Sequence, residues 1–155
     1  MNFLKYLSLG TLSCLFTLIF MGGYVSAAGV GLSCPDWPLC PAGLVPMNDF
    51  LVEYVHRTFA ATTGLLVILT MVFTLNSKVS GRGMKLAAVI ASGLVIGQIA
   101  LGAAVIVERL HALLVTIHLA MGMTLFSMIM ITTVYAFQLP SATTRKELTS
   151  ATGKT

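Results

Sequence analysis

Polar positions in this chain are confined to short breaks between four long apolar runs. The runs cover residues 7–28, 52–75, 84–107 and 110–139. Each reaches or exceeds the roughly 20 residues that an α-helix needs to cross about 30 Å of hydrocarbon. The pattern predicts an all-α, polytopic membrane four-helix bundle formed by one domain, residues 1–139, with a loop at 29–51 and a tail at 140–155. The breaks carry their own punctuation. Gly29 and Gly31 should unwind the first helix, and Pro35, Pro38, Pro41 and Pro46 remove backbone donors and forbid a continuous helix in the loop that follows. The turn at 76–83 is polar and glycine-rich, and the stretch from Pro140 onward, rich in Ser, Thr and mixed charge, reads as a frayed tail.

Composition removes the soluble alternative. Of 155 residues, 57% are hydrophobic and only 9% charged, with a mean hydropathy of +0.94, which leaves too little polar surface to cover a water-soluble fold. Val25-Ser26-Ala27 after an apolar run with Lys5 ahead of it has the form of a signal-peptide cleavage site. That run exceeds the usual hydrophobic region of about 7–15 residues, so retention as a helix is expected. Lys5, Lys78, Arg82, Lys85, Arg145, Lys146 and Lys154 fall on one side of a four-helix serpentine, and Arg57 and Arg109 on the other. The positive-inside rule then makes both termini cytoplasmic and turns the connections at 29–51 and around Glu108 outward, in a multi-pass protein of the cell membrane. The net charge of +4 reports topology. No basic stripe with interleaved aromatics is present, so the lipid bilayer is an expected partner and nucleic acid is not.

His56 and His118 each lie several residues inside the outer end of an apolar run, at similar depth for a rise of about 1.5 Å per residue. Two imidazoles from facing helices are able to take both axial positions of one heme iron. The competing reading is a pair of core histidines, each hydrogen-bonded to a carbonyl or hydroxyl. Two at one depth favour ligation, because ionisable groups in lipid are costly without a purpose. Ala60 and Gly64 follow His56 at helical spacing, Gly122 follows His118, and helix three adds Gly93 and Gly97. Such small residues make room for a porphyrin, or simply let helices pack closely.

Glu53 lies one turn before His56, with Arg57 as its i+4 neighbour. The pair reads either as a surface salt bridge of little energetic weight or as a carboxylate at the rim of a heme, able to accept protons. Arg57 is a candidate partner for a heme propionate, or an anchor for the helix end. A second Glu-x-x-His at Glu108 and His111 would suggest a di-iron carboxylate site, but that site needs two more glutamates. Only Glu147 remains, on the opposite side, so Glu108, Arg109 and His111 are expected to form a polar outer turn.

The cysteines separate by compartment. Cys14 falls inside helix one as a small core residue. Cys34 and Cys40 share the outer loop across a five-residue, proline-rich spacer, where an oxidising environment permits a disulfide. Two free thiols, or a redox-active pair exchanging with a partner, remain open as alternatives. Closing so short a loop would constrain the unfolded chain by about 2–3 kcal/mol, so its main effect is local shaping.

The stretch Gly31-Leu32-Ser33-Cys34-Pro35-Asp36-Trp37-Pro38-Leu39-Cys40 closely resembles the first outer loop of the heme A synthase family. The resemblance continues through Glu53-Tyr54-Val55-His56-Arg57, Gly97-Gln98 with Leu101-Gly102, and the segment around His118. It implies oxidation of a ring methyl of heme O to a formyl group through successive hydroxylations, with Glu53 in the active-site motif. Family members have eight helices in two similar halves, each with a histidine pair; one half holds heme b as cofactor and the other is read as the substrate site for heme O. This chain resembles one half. A homodimer or higher oligomer, in which two copies stand where the halves stand, is the economical expectation, with heme O synthase as a possible supplier and an unknown electron acceptor. Two other classes stay in view: a bis-histidine heme-binding or electron-transfer protein without catalysis, and a quinone-linked thiol oxidoreductase built on the outer cysteines.

Overall fold

The computed structural model describes residues 2–33 and 51–139. Four helices follow one another: α1 (Asn2–Ala27), α2 (Leu51–Asn76), α3 (Arg82–Val107) and α4 (Ala112–Gln138). Each is long and apolar enough to cross a membrane, and the protein is an all-α, multi-pass membrane protein. The packed pairs are α1 with α2, α2 with α3, α3 with α4 and α4 with α1. This is a closed ring in which α2 and α4 occupy opposite corners. Neighbours run antiparallel, since Thr11 near the start of α1 meets Thr70 near the end of α2 at 3.0 Å.

Helix α1 begins at Asn2, ahead of the apolar run that starts at Leu7, because Lys5 is useful where it stands. Its Nζ donates to the carbonyl oxygens of Leu139 at 3.1 Å and Phe137 at 3.4 Å. Carbonyls in the last turn of a helix lack intrahelical partners and favour a cation. Between the ends, Leu15, Val67, Ala91, Val95, Leu125 and Ile129 form the apolar core. Four buried hydroxyls are satisfied without water: those of Thr63, Thr70, Thr132 and Thr133 each donate to the carbonyl four residues back, at 2.8–2.9 Å. Such internal pairing is what a bilayer demands of every polar group. The large exposed side chains Phe16, Phe20, Leu65 and Ile96 meet lipid rather than water.

Helix α4 begins at Ala112, after the apolar run at 110 has started, because the chain reverses through Arg109 and Leu110. The N–H of Leu110 bonds the Val105 carbonyl at 2.8 Å and the N–H of Arg109 bonds that of Ile106 at 3.0 Å. This is the Schellman closure of a helix C-terminus, which calls for a left-handed residue where glycine is usual. Arg109 has φ 50° and Leu110 φ 62°. Leu110 repays part of that strain through its side chain, which packs on Gly31; a Cβ there would lie 3.2 Å from Leu110 Cδ2.

Arg109→Gly should therefore raise stability by about 0.5–1 kcal/mol, because a left-handed backbone is unfavourable for any residue with a Cβ. Thermal unfolding of the detergent-solubilised protein reads this directly, and a melting temperature at or below that of the wild type would contradict it.

Candidate functional site

The ring of helices does not close at the end where α2 and α4 begin. A cavity of about 530 Å³ lies there, within the range of roughly 300–1,000 Å³ typical of small-molecule and cofactor sites. Its floor is the top of the apolar core, Leu15, Val95 and Leu125, and Leu110 and Gly31 stand at its upper wall. His56 is five residues into α2 and His118 six residues into α4. At about 1.5 Å per residue both sit about 8–9 Å below the helix starts. Both line the cavity, and since their helices occupy opposite corners of the ring, they approach it from opposite sides.

The surroundings of the two rings differ from those of a structural core histidine. The Nδ1 atoms of both are buried and have no hydrogen-bond partner among the described residues, where a core histidine would take a carbonyl or hydroxyl. Each ring is instead bordered by a glycine of a neighbouring helix. A Cβ on Gly22 of α1 would lie 3.2 Å from His56 Cε1, and one on Gly102 of α3 would lie 3.5 Å from His118 Cε1. Ala60, Gly64 and Gly122 also face the space. Two neutral nitrogen donors, glycine-smoothed walls and an apolar floor fit a heme held through His56 and His118.

Glu53 and Arg57 line the same cavity. Glu53 is not the surface carboxylate that one reading of the sequence described: it is 2% exposed. Arg57 Nη2 donates to its Oε1 at 2.5 Å, and Ser33 Oγ donates to its Oε2 at 3.0 Å. The arginine is less enclosed, with its side chain 16% exposed. A carboxylate is kept in this low-dielectric wall because charged and hydroxyl donors engage both of its oxygens.

The structure thus brings Glu53, His56, Arg57 and His118 together in one wall-and-floor arrangement. Cys34 and Cys40 lie outside the described residues, while Cys14 is a half-buried free thiol in α1. Glu108, Arg109 and His111 are exposed in the α3–α4 turn, away from the cavity. Among the described residues, no three His, Cys, Asp or Glu side chains are grouped so as to hold a metal ion between them. Three contributions were not assigned in the sequence: Gly22, which borders His56, and the contacts of two residues that stand in the motifs carrying the resemblance, Ser33, which bonds Glu53, and Gln98, whose amide reaches the backbone of α4. The polar amide in an otherwise apolar α3 was a visible signal for Gln98. Nothing in the pattern of α1 pairs Gly22 with a histidine more than thirty positions away.

Comparison with known proteins gives a family match to COX15-CtaA, cytochrome oxidase assembly protein, over residues 5–50 and 47–154. The chain is 31% identical over 134 residues to a heme A synthase of Bacillus licheniformis, covering 84% of this chain and 44% of that protein. It is 30% identical over 121 residues to a heme A synthase of Exiguobacterium sibiricum, covering 76% and 41%. It is also 36% identical over 112 residues to a protoheme IX farnesyltransferase of Haloarcula marismortui, covering 72% of this chain and 24% of that one. The chain spans less than half the length of the heme A synthases it matches.

Removing one partner of a buried ion pair leaves the other poorly compensated. Arg57→Ala should cost about 3 kcal/mol of stability, and adding Glu53→Gln to that variant should restore part of the loss. Chemical or thermal unfolding of the single and double variants in detergent tests this; equal stabilities of the wild type and Arg57→Ala would mean that the pair contributes nothing.

Proposed function

The chain belongs to the COX15-CtaA family, and from that membership we propose that it acts as a heme A synthase, oxidising a ring methyl of heme O to a formyl group through successive hydroxylations. The observation that carries the reading is the convergence of His56 and His118, from opposite corners of the bundle, on one cavity that has Glu53 in its wall. His56 and His118 are the residues that would hold a heme through its iron, and Arg57, at the partly open rim, would pair with an anionic group of that heme. A heme bound in this way supplies one-electron redox chemistry. The chain's own residues do the rest. The apolar floor excludes bulk water, Ser33 and Arg57 orient Glu53, and Glu53 takes protons released as the methyl carbon is oxidised.

One chain offers one such cavity, whereas the reaction calls for heme b as cofactor and heme O as substrate. We assign these to two copies of the chain in a homodimer or higher oligomer. Each hydroxylation would take its oxygen from one water molecule and release two protons and two electrons, the electrons going to an oxidant outside the chain. Heme O synthase is the natural supplier of substrate, and the similarity to part of a protoheme IX farnesyltransferase supports a close association of the two activities. The distribution of basic residues supports a topology with both termini in the cytoplasm and the cavity end outward. A second reading, a bis-histidine heme protein without catalysis, has one observation in its favour: both carboxylate oxygens of Glu53 are already engaged, by Arg57 and Ser33.

Co-expression with a heme O supply in a host lacking heme A, followed by chromatography and mass analysis of the extracted hemes, separates the two. Hydroxymethyl or formyl product is expected from the wild type, and none from His56→Ala or His118→Ala. Glu53→Ala should retain bound heme while losing the formyl product. Bound heme that stays chemically unaltered in the wild type would favour the second reading, and an unchanged product yield in Glu53→Ala would remove that residue from the chemistry. Full turnover by a protein held monomeric in detergent would rule out the two-copy arrangement.

A further inference from the structure

We infer that Gln98 is the positioning residue for His118: its side-chain amide clamps α4 to α3 at the histidine's own carbonyl, and residue 122 is glycine because the amide occupies the space a side chain would need. The inference rests on the heme-binding reading of the cavity. Gln98 sits in α3 among apolar neighbours and lines the cavity. Its Nε2 donates to the backbone carbonyl oxygen of His118 at 3.0 Å. In an α-helix that carbonyl takes its ordinary bond from the N–H four residues on, which belongs to Gly122. The amide therefore approaches α4 where residue 122 passes, and a Cβ on Gly122 would lie 2.8 Å from Gln98 Nε2. That separation is closer than non-bonded atoms tolerate, so any side chain at 122 displaces the amide.

The cost of keeping Gln98 argues for a role beyond packing. Its Oε1 is buried without a hydrogen-bond partner, and an unsatisfied buried acceptor is unfavourable where an apolar residue of similar size would carry no such penalty. What a glutamine adds over leucine or methionine here is the Nε2 bond. Fixing the His118 carbonyl fixes the depth and rotation of α4 at that residue, and so the direction in which the imidazole leaves the helix. No comparable side-chain bond is made to the backbone of His56 by the described residues; that ring is set by contact with Gly22. Both rings border a glycine of a neighbouring helix, and among the described residues His118 has in addition a side-chain hydrogen bond to its own carbonyl.

The test is a double-mutant cycle on the purified chain, read by heme titration through Soret absorbance and by electron paramagnetic resonance of the ferric protein. Gln98→Met keeps the volume and removes the bond; Gln98→Ala removes both. Each should weaken heme binding about five- to tenfold, the scale of one hydrogen bond, and shift the low-spin g-values that report axial-ligand orientation. Gly122→Ala alone should do the same, by pushing the amide away. In the Gln98→Ala background, Gly122→Ala should add no further loss, because the atom it would strike is gone. Thermal unfolding without heme should show the same non-additivity. A wild-type protein that binds no heme through two histidines overturns both this inference and the reading beneath it. A wild type with a bis-histidine spectrum that Gln98→Met leaves unchanged, or losses from Gln98→Ala and Gly122→Ala that simply add, overturns this inference alone.

Discussion

Two imidazoles carried to one depth by helices at opposite corners of the bundle are the constraint around which the rest of the structure is arranged. In a bilayer a polar ring is unfavourable against lipid, so both must turn inward. Two inward rings on a diagonal hold that end of the ring of helices open, and the cavity is the consequence. Toward the other end, where no such side chains intrude, small residues and β-branched hydroxyls let the helices pack around two apolar clusters. Cavity and core are two ends of one bundle, separated by Leu15, Val95 and Leu125, which serve as core on one side and floor on the other.

Everything polar near the cavity follows the rule that lipid supplies no hydrogen bonds. The threonines bond back to their own helices. Glu53 is engaged by Arg57 and Ser33, and Gln98 spends its donor on α4. Among the described residues, the imidazole Nδ1 atoms and Gln98 Oε1 depart from this rule in the same place. Both imidazole shortfalls border one cavity, which sets these histidines apart from the threonines that bond back to their own helices.

The strained turn at Arg109 and Leu110 belongs to the same arrangement. It ends α3 abruptly enough for α4 to start beside it, and it swings Leu110 over Gly31 at the upper wall. Backbone strain is tolerated where it shapes a functional region. Here the turn sets Leu110 and Gly31 in the same cavity wall as Glu53, Arg57 and the other lining residues.

The sequence by itself determined the four spans, the equal depth of His56 and His118, and the placement of Glu53 one turn before a histidine. These depend only on helical rise and hydrophobic run length, which are local quantities. Helix ends were less legible, because Lys5 extends α1 through carbonyls of α4, a partner more than 130 positions away. The burial of Glu53 was not legible at all: a carboxylate near a helix start looks exposed until Ser33 from the preceding segment is folded against it. The same holds for Gly22 beside His56 and for Gln98 at the carbonyl of His118. Run length says which residues enter the membrane, but the faces that meet depend on how four helices rotate about their axes. Only the packing of all four decided that.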